Sequence, residues 1–137
     1  FSNENNDKLM NVSTLKTRIT QVKHIKKGES VSYGRKWKAE KNSEIAVIPV
    51  GYADGLNRHL SNEVGEVLVK GKKAAIVGNI CMDMCMINVS GLDVQEGDEV
   101  IVFGDELPAS ILAEKLGTIP YEIITGISER VKRVYKG

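Results

Sequence analysis

The sequence predicts a mainly β fold, a small β-barrel or sandwich with one or two short helices. Three observations carry this. Short runs of strand-forming residues recur along the chain, and turns rich in glycine separate them. Only one stretch, PASILAEKL at 108–116, combines helical spacing with clear start and stop signals. No internal repeat or low-complexity tract breaks this rhythm, and 137 residues suffice for one domain with its own core.

Each element has its own warrant. Residues 1–12 are polar and read as a linker or frayed end, which leaves 13–137 as the domain. Thr17 to Ile25 alternates loosely, but its residues favour strands. Lys27-Gly28-Glu29 is a turn, Val31 to Trp37 a second strand, and Glu44 to Val50 a third. That third run, EIAVIPV, is nearly all apolar and predicts burial. Gly51 to Gly55 ends it in a loop. Glu66 to Lys70 and Lys73 to Val77 form a hairpin around Lys70-Gly71-Lys72-Lys73. Ile80 to Val89 reads as one long apolar strand, with Asp83 as a carboxylate among apolar residues that would need partners. Residues 95–99 turn into a strand from Val100 to Phe103. Pro108 opens the helix and Gly117 closes it. A shorter helix covers Pro120 to Gly126, and Arg130 to Tyr135 closes the chain as a strand.

Composition removes several function classes. Lys and Arg total 19 against 18 Asp and Glu, a net charge of +1, and the basic residues are scattered. Nucleic acid is therefore not an expected partner. No apolar run approaches the ~20 residues of a membrane span, and no secretory leader is visible, so no membrane association is expected. The start lacks a Met, which suggests a piece of a longer chain. Cys81 and Cys85 have no ligand partners nearby, and His24 and His59 belong to no metal motif, so zinc is not expected. Free thiols fit a reducing, cytoplasmic location.

Two of the four tyrosines stand against glycine: Tyr33 before Gly34 and Tyr52 after Gly51. Glycine lets main chain or ligand approach closely, as a phenol presented to a ligand requires. On the residues alone, Tyr33 reads as a half-buried strand residue rather than as a base, and Tyr52 can be plain loop packing. Met82, beside Met84 and Met86, is most simply core filling.

A series of motifs goes further. TLKTRI (14–19), KKGESVSYGRKW (26–37), IPVGYADGLNR (48–58), IVGNICMDM (76–84), GDEVIVFG (97–104) and TIPYEIITGISERVKRVY (118–135) follow in this order. Together they resemble the C-terminal domain of the alanine racemase family. The family places an N-terminal TIM-type barrel before a β-rich domain and uses pyridoxal phosphate as its cofactor. The resemblance implies a cytoplasmic homodimer that interconverts L- and D-alanine for cell-wall synthesis. Its partners would be a small amino-acid substrate, the chain's own barrel domain and a second subunit.

Residue by residue, the resemblance implies the following. Tyr33 matches the tyrosine acid–base group, offered to the partner subunit's site. Tyr52 lines the inner gate of the substrate's way in, and Arg58, Ile119 and Asp83 lie along the same passage. Met82 matches the residue whose backbone N–H holds the substrate carboxylate. Tyr121 matches the tyrosine that hydrogen-bonds the cofactor phosphate. Met84 stands where many members carry Gln, and Asn79 where some carry Arg. No lysine here matches the one that joins the cofactor, so the domain alone is expected to be silent. Two other readings stay open: a serine/alanine racemase of glycopeptide resistance, and a non-catalytic β-barrel interaction module. The last would be favoured by aromatic and basic residues on one face, and no such cluster is visible.

Overall fold

The computed structural model of the chain describes residues 14–31, 37–104, 107 and 114–117. Within these, the strands are β1 (Leu15–Arg18), β2 (Gln21–Ile25), β3 (Ser30–Val31), β4 (Trp37–Lys38), β5 (Ser43–Ile48), β6 (Glu66–Val69), β7 (Lys72–Val77), β8 (Cys85–Asn88) and β9 (Glu99–Phe103). Seven of them form one sheet in the order β1-β9-β6-β7-β8-β5-β2. Every pairing in it is antiparallel.

The sheet curls for a covalent reason. β1 and β2 stand at opposite ends of the order, yet only Ile19 and Thr20 separate them in the chain. Three residues of extended chain reach at most about 11 Å. The two edges must therefore come round to meet, as in a small barrel. The bend is tied to both neighbours. Ile19 N–H donates to the Asp98 carbonyl at 2.9 Å, and Thr20 N–H donates to the Val47 carbonyl at 2.9 Å. Ile19 itself is only 2% exposed and points into the core.

The predicted strand from Thr17 to Ile25 is thus two strands with a corner between them. A uniformly strand-forming composition hides a corner when the residue at the bend is itself apolar. The predicted strand from Val31 to Trp37 is also divided, because Val31 and Trp37 face each other across an antiparallel pair. The five residues that join them, Tyr33 among them, lie outside the described residues.

β5 runs as expected and explains its own composition. Ala46 and Ile48 point into the barrel with Ile76, Cys85 and Ile87, while Ile45 and Val47 join Val77 and Met86 in a second cluster on the other face. A strand buried on both faces has no position for polar alternation. The β6–β7 hairpin turns at Lys70 and Gly71, with φ of +53° and +75°. Two positive φ values in a two-residue loop match the twist of antiparallel strands. β9 spans the predicted Val100 to Phe103 and starts one residue earlier. Of the predicted helix, Glu114–Leu116 are described and helical. Gly117 follows at φ +68°, the left-handed end that glycine accepts best. The predicted elements at 120–126 and 130–135 lie outside the described residues.

The run from Ile80 to Val89 is not one strand. β8 occupies only Cys85–Asn88, and residues 81–84 form a tight turn in which Cys81 N–H donates to the Met84 carbonyl at 2.9 Å. Met82 and Asp83 are the tip of that turn and both are exposed. Asp83 is therefore not a buried carboxylate. It is exposed to solvent, and among the described residues it makes no hydrogen bond or ion pair, with Arg58 or any other.

Candidate functional site

Two loops meet at one rim of the barrel: 51–62, which follows β5, and 79–84, which precedes β8. They are joined main chain to main chain. Tyr52 N–H donates to the Cys81 carbonyl at 3.0 Å, and Ala53 N–H donates to the Met82 carbonyl at 2.8 Å. This contact requires glycine at 51. Its backbone is extended (φ −144°, ψ −165°), so the requirement is one of space. A Cβ there would lie 2.2 Å from the Cys81 carbonyl oxygen and 2.6 Å from the Met82 carbonyl group. No other residue fits without parting the loops.

The first loop folds on itself as a single 3-10 turn, Tyr52–Asp54, closed by Gly55 at φ +108°. Asp54 is buried, and its Oδ2 accepts from Gly51 N–H at 2.9 Å. Leu56 N–H donates back to the Gly51 carbonyl at 3.2 Å. A second 3-10 turn, Arg58–Leu60, follows, with Asn57 Oδ1 accepting from His59 N–H at 2.8 Å. Leu56 and Leu60 anchor both turns in the core.

What remains outside is the Tyr52 ring, 44% exposed, with the Arg58 guanidinium 5.3 Å from its centre. That separation is a cation–π contact. The two line an open groove of about 650 Å³ with Asn57, His59, Asn62 and Asn79. Asn62 Nδ2 donates to Asn79 Oδ1 at 3.0 Å across one wall of it. Tyr52 thus faces two ways: its side chain borders the groove and its main chain holds the Cys81–Met82 turn.

At that turn the Met82 side chain is 54% exposed, so its expected role as core filling does not hold. Among the described residues the buried methionine is Met86, in β8. Among the described residues, the Met82 N–H donates to no acceptor. An exposed backbone donor at a turn tip can accept an anion without disturbing any existing bond. The two cysteines are free. Burial, and then neighbouring Cys81, pushes the Cys85 thiol from 9.0 up to about 12, so it is inert.

Tyr52, Arg58, Met82 and Asp83, singled out in the sequence, stand in the two loops of this rim. Sequence reasoning missed Asp54, Asn57, His59 and Asn62. The spacing of Asp54, three residues after Gly51, was the signal for an acid that caps its own turn. Tyr33, Ile119 and Tyr121 lie outside the described residues. The described residues do not form a pocket for pyridoxal phosphate. Every described lysine is exposed and none borders the groove, so no amine is placed in the enclosed setting such a cofactor needs. The Met82 N–H, free among the described residues, fits the anionic end of a small molecule instead. Among the described residues no helix is long and apolar enough to cross a membrane.

Comparison with known proteins gives this rim a context. The sequence profile described as "Alanine racemase, C-terminal domain" matches residues 12–135. An alanine racemase of Clostridium tetani is 50% identical over 129 residues, which cover 90% of this chain and 33% of that protein. A crystal structure of alanine racemase from Bartonella henselae with covalently bound pyridoxal phosphate is 36% identical, with a TM-score of 0.85 over 90% of this chain and 34% of that one. A Clostridium difficile alanine racemase in complex with cycloserine is 42% identical, with a TM-score of 0.81 over 86% and 32%. The chain spans about a third of the length of these relatives. With a family profile matched along nearly its whole length and a curled β-sheet that superposes on theirs, the chain belongs to the alanine racemase C-terminal domain family.

Proposed function

We propose that this domain works as one part of an alanine racemase in the cytoplasm, joined to a pyridoxal-phosphate-binding barrel and paired with a second subunit. The observation that carries the reading is the Met82 N–H, unpaired among the described residues at an exposed turn beside the Tyr52–Arg58 groove. Such a donor suits the carboxylate of an amino acid. Pyridoxal phosphate, held by the barrel, would supply an electron sink for the substrate's α-carbon.

The domain's own residues then have distinct tasks. Met82 N–H fixes the carboxylate and with it the direction of the α-carbon. Tyr52 and Arg58 would border the passage by which the amino acid arrives, with Asp83 and Ile119 along it, and Tyr121 would hydrogen-bond the cofactor phosphate. Tyr33 takes the α-proton from L-alanine and returns one in the reverse direction. A phenol has a pKa of about 10, so forming the phenolate at pH 7 costs roughly 4 kcal/mol unless a neighbour stabilises it. That neighbour would belong to the barrel of the other subunit.

The test is Tyr33→Phe in the full-length enzyme, with α-proton exchange followed from each enantiomer. Exchange from L-alanine should fall about 10²–10⁴-fold, the usual weight of an acid–base group, and exchange from D-alanine far less. Equal, unchanged rates would remove Tyr33 from the reaction. The domain without its barrel should be silent. Pyridoxal phosphate added to it should give no single lysine that borohydride traps, and one trapped lysine would refute this.

A further inference from the structure

We propose that Asp54 is a positioning residue for the substrate-binding turn: its buried carboxylate folds the Gly51–Leu56 loop so that this loop holds the Met82 N–H in place. The inference rests on the function proposed above and adds a residue to it. The chain of contacts is continuous. Asp54 Oδ2 accepts from Gly51 N–H at 2.9 Å. That bond closes the 3-10 turn and sets the direction of the next two amides. Those amides, of Tyr52 and Ala53, donate to the carbonyls of Cys81 and Met82 at 3.0 and 2.8 Å. The Cys81 carbonyl and the Met82 N–H belong to one planar peptide, so the bond from Tyr52 N–H to that carbonyl sets the direction of the free donor, and the bond from Ala53 N–H to the Met82 carbonyl holds the peptide after it.

Three features show a built device rather than an incidental contact. The acid is only 6% exposed, and a carboxylate is not buried without hydrogen bonds that stabilise it. The residue it grips is the one position where a Cβ would strike the opposite loop, at 2.2 Å from the Cys81 oxygen. Asp54 also makes an interaction beyond the Gly51 bond. Asp54 itself borders neither the groove nor the free N–H, and so would act through the backbone alone.

The test uses the full-length enzyme and three variants. Asp54→Ala should raise KM for alanine about tenfold, because one buried, charge-assisted bond is lost, and should leave kcat within about threefold. Asp54→Asn keeps an oxygen for Gly51 N–H and should recover most of the loss. Asp54→Glu should not, because the longer side chain has no room in the buried turn. A residue that merely held the fold together would lower the fraction of active enzyme, and hence kcat, with KM unchanged. That result would overturn the proposal. Backbone hydrogen exchange gives a readout independent of substrate. In Asp54→Ala, the Tyr52 and Ala53 amides should exchange about tenfold faster while the β6–β7 hairpin keeps its protection. Unchanged protection at 52 and 53 would overturn the clamp even if the enzyme is active. Should the wild-type protein racemise no alanine, the function fails while exchange still decides the clamp.

Discussion

Strand β8 and the turn that feeds it are neighbours in sequence and differ in almost every physical respect. In β8, Cys85 and Ile87 are 1% and 0% exposed, paired on one side with β5 and packed into the barrel. In the turn, Met82 is 54% exposed and is held by backbone bonds to the 51–54 loop. The strand draws its stability from apolar burial, which is additive and tolerant of exchange between similar side chains. The turn draws its geometry from a few directional bonds and one glycine, where a single added carbon matters. A rigid sheet thus carries a rim whose exposed groups are placed by main chain, a sound way to hold a donor ready for a ligand.

The contrast can be broken first on the strand. In the full-length enzyme, Ile87→Ala should lower unfolding free energy by about 2–5 kcal/mol, measured by denaturant titration, and leave KM for alanine near its original value. A raised KM would mean that the core and the rim are not separable. Gly51→Ala is the converse. It should cost about 1–3 kcal/mol of stability, because the new methyl parts the two loops, while weakening substrate binding disproportionately. Equal losses in stability and nothing in KM would show that the loop contact serves the fold alone.

A third prediction concerns pH. The Cys85 thiol titrates near 9.0 when exposed and about 12 in the folded chain. Below pH 9 both states hold the proton and the thiol gives no pH dependence. Above it, the unfolded state releases its proton first, so stability falls as pH rises toward 12. The slope is up to about 1.4 kcal/mol per pH unit. Cys85→Ala should flatten that segment of the curve, measured as denaturant midpoint against pH. An identical curve would mean that the thiol is wetter than its burial implies. The smallest effect belongs to Arg58→Gln. Loss of the contact with Tyr52 should cost about 0.5–1 kcal/mol, seen as a two- to fivefold rise in KM. No change would place the arginine outside the substrate's path.

The sequence was most readable where burial alone decides structure. EIAVIPV, the Lys70-Gly71 hairpin and the strand ending at Phe103 were legible because apolar runs and turn residues act locally. The corner at Ile19–Thr20 was not, because it is set by closure of the sheet, and both corner residues are strand formers. The turn at 81–84 was hidden for a related reason: three of its four residues are Cys or Met, which read as strand. Asp83 was the one sign to the contrary, and its polarity marked exposure rather than a buried pair. For the rim, family motifs pointed to Tyr52, Arg58 and Met82, whereas Asp54 carried only its spacing from Gly51, and its burial needed coordinates because a buried acid and a surface acid look alike in sequence.

The most direct measurement replaces the amide of Met82 with an ester, by introducing the α-hydroxy analogue of methionine at that position in the full-length enzyme. The substitution removes the N–H and leaves the side chain and the carbonyl bonded to Ala53. The account predicts that KM for alanine rises about tenfold or more, the weight of one hydrogen bond to a charged group, with thermal stability nearly unchanged. An unaltered KM in a folded, cofactor-loaded enzyme would show that this turn does not hold the substrate's carboxylate.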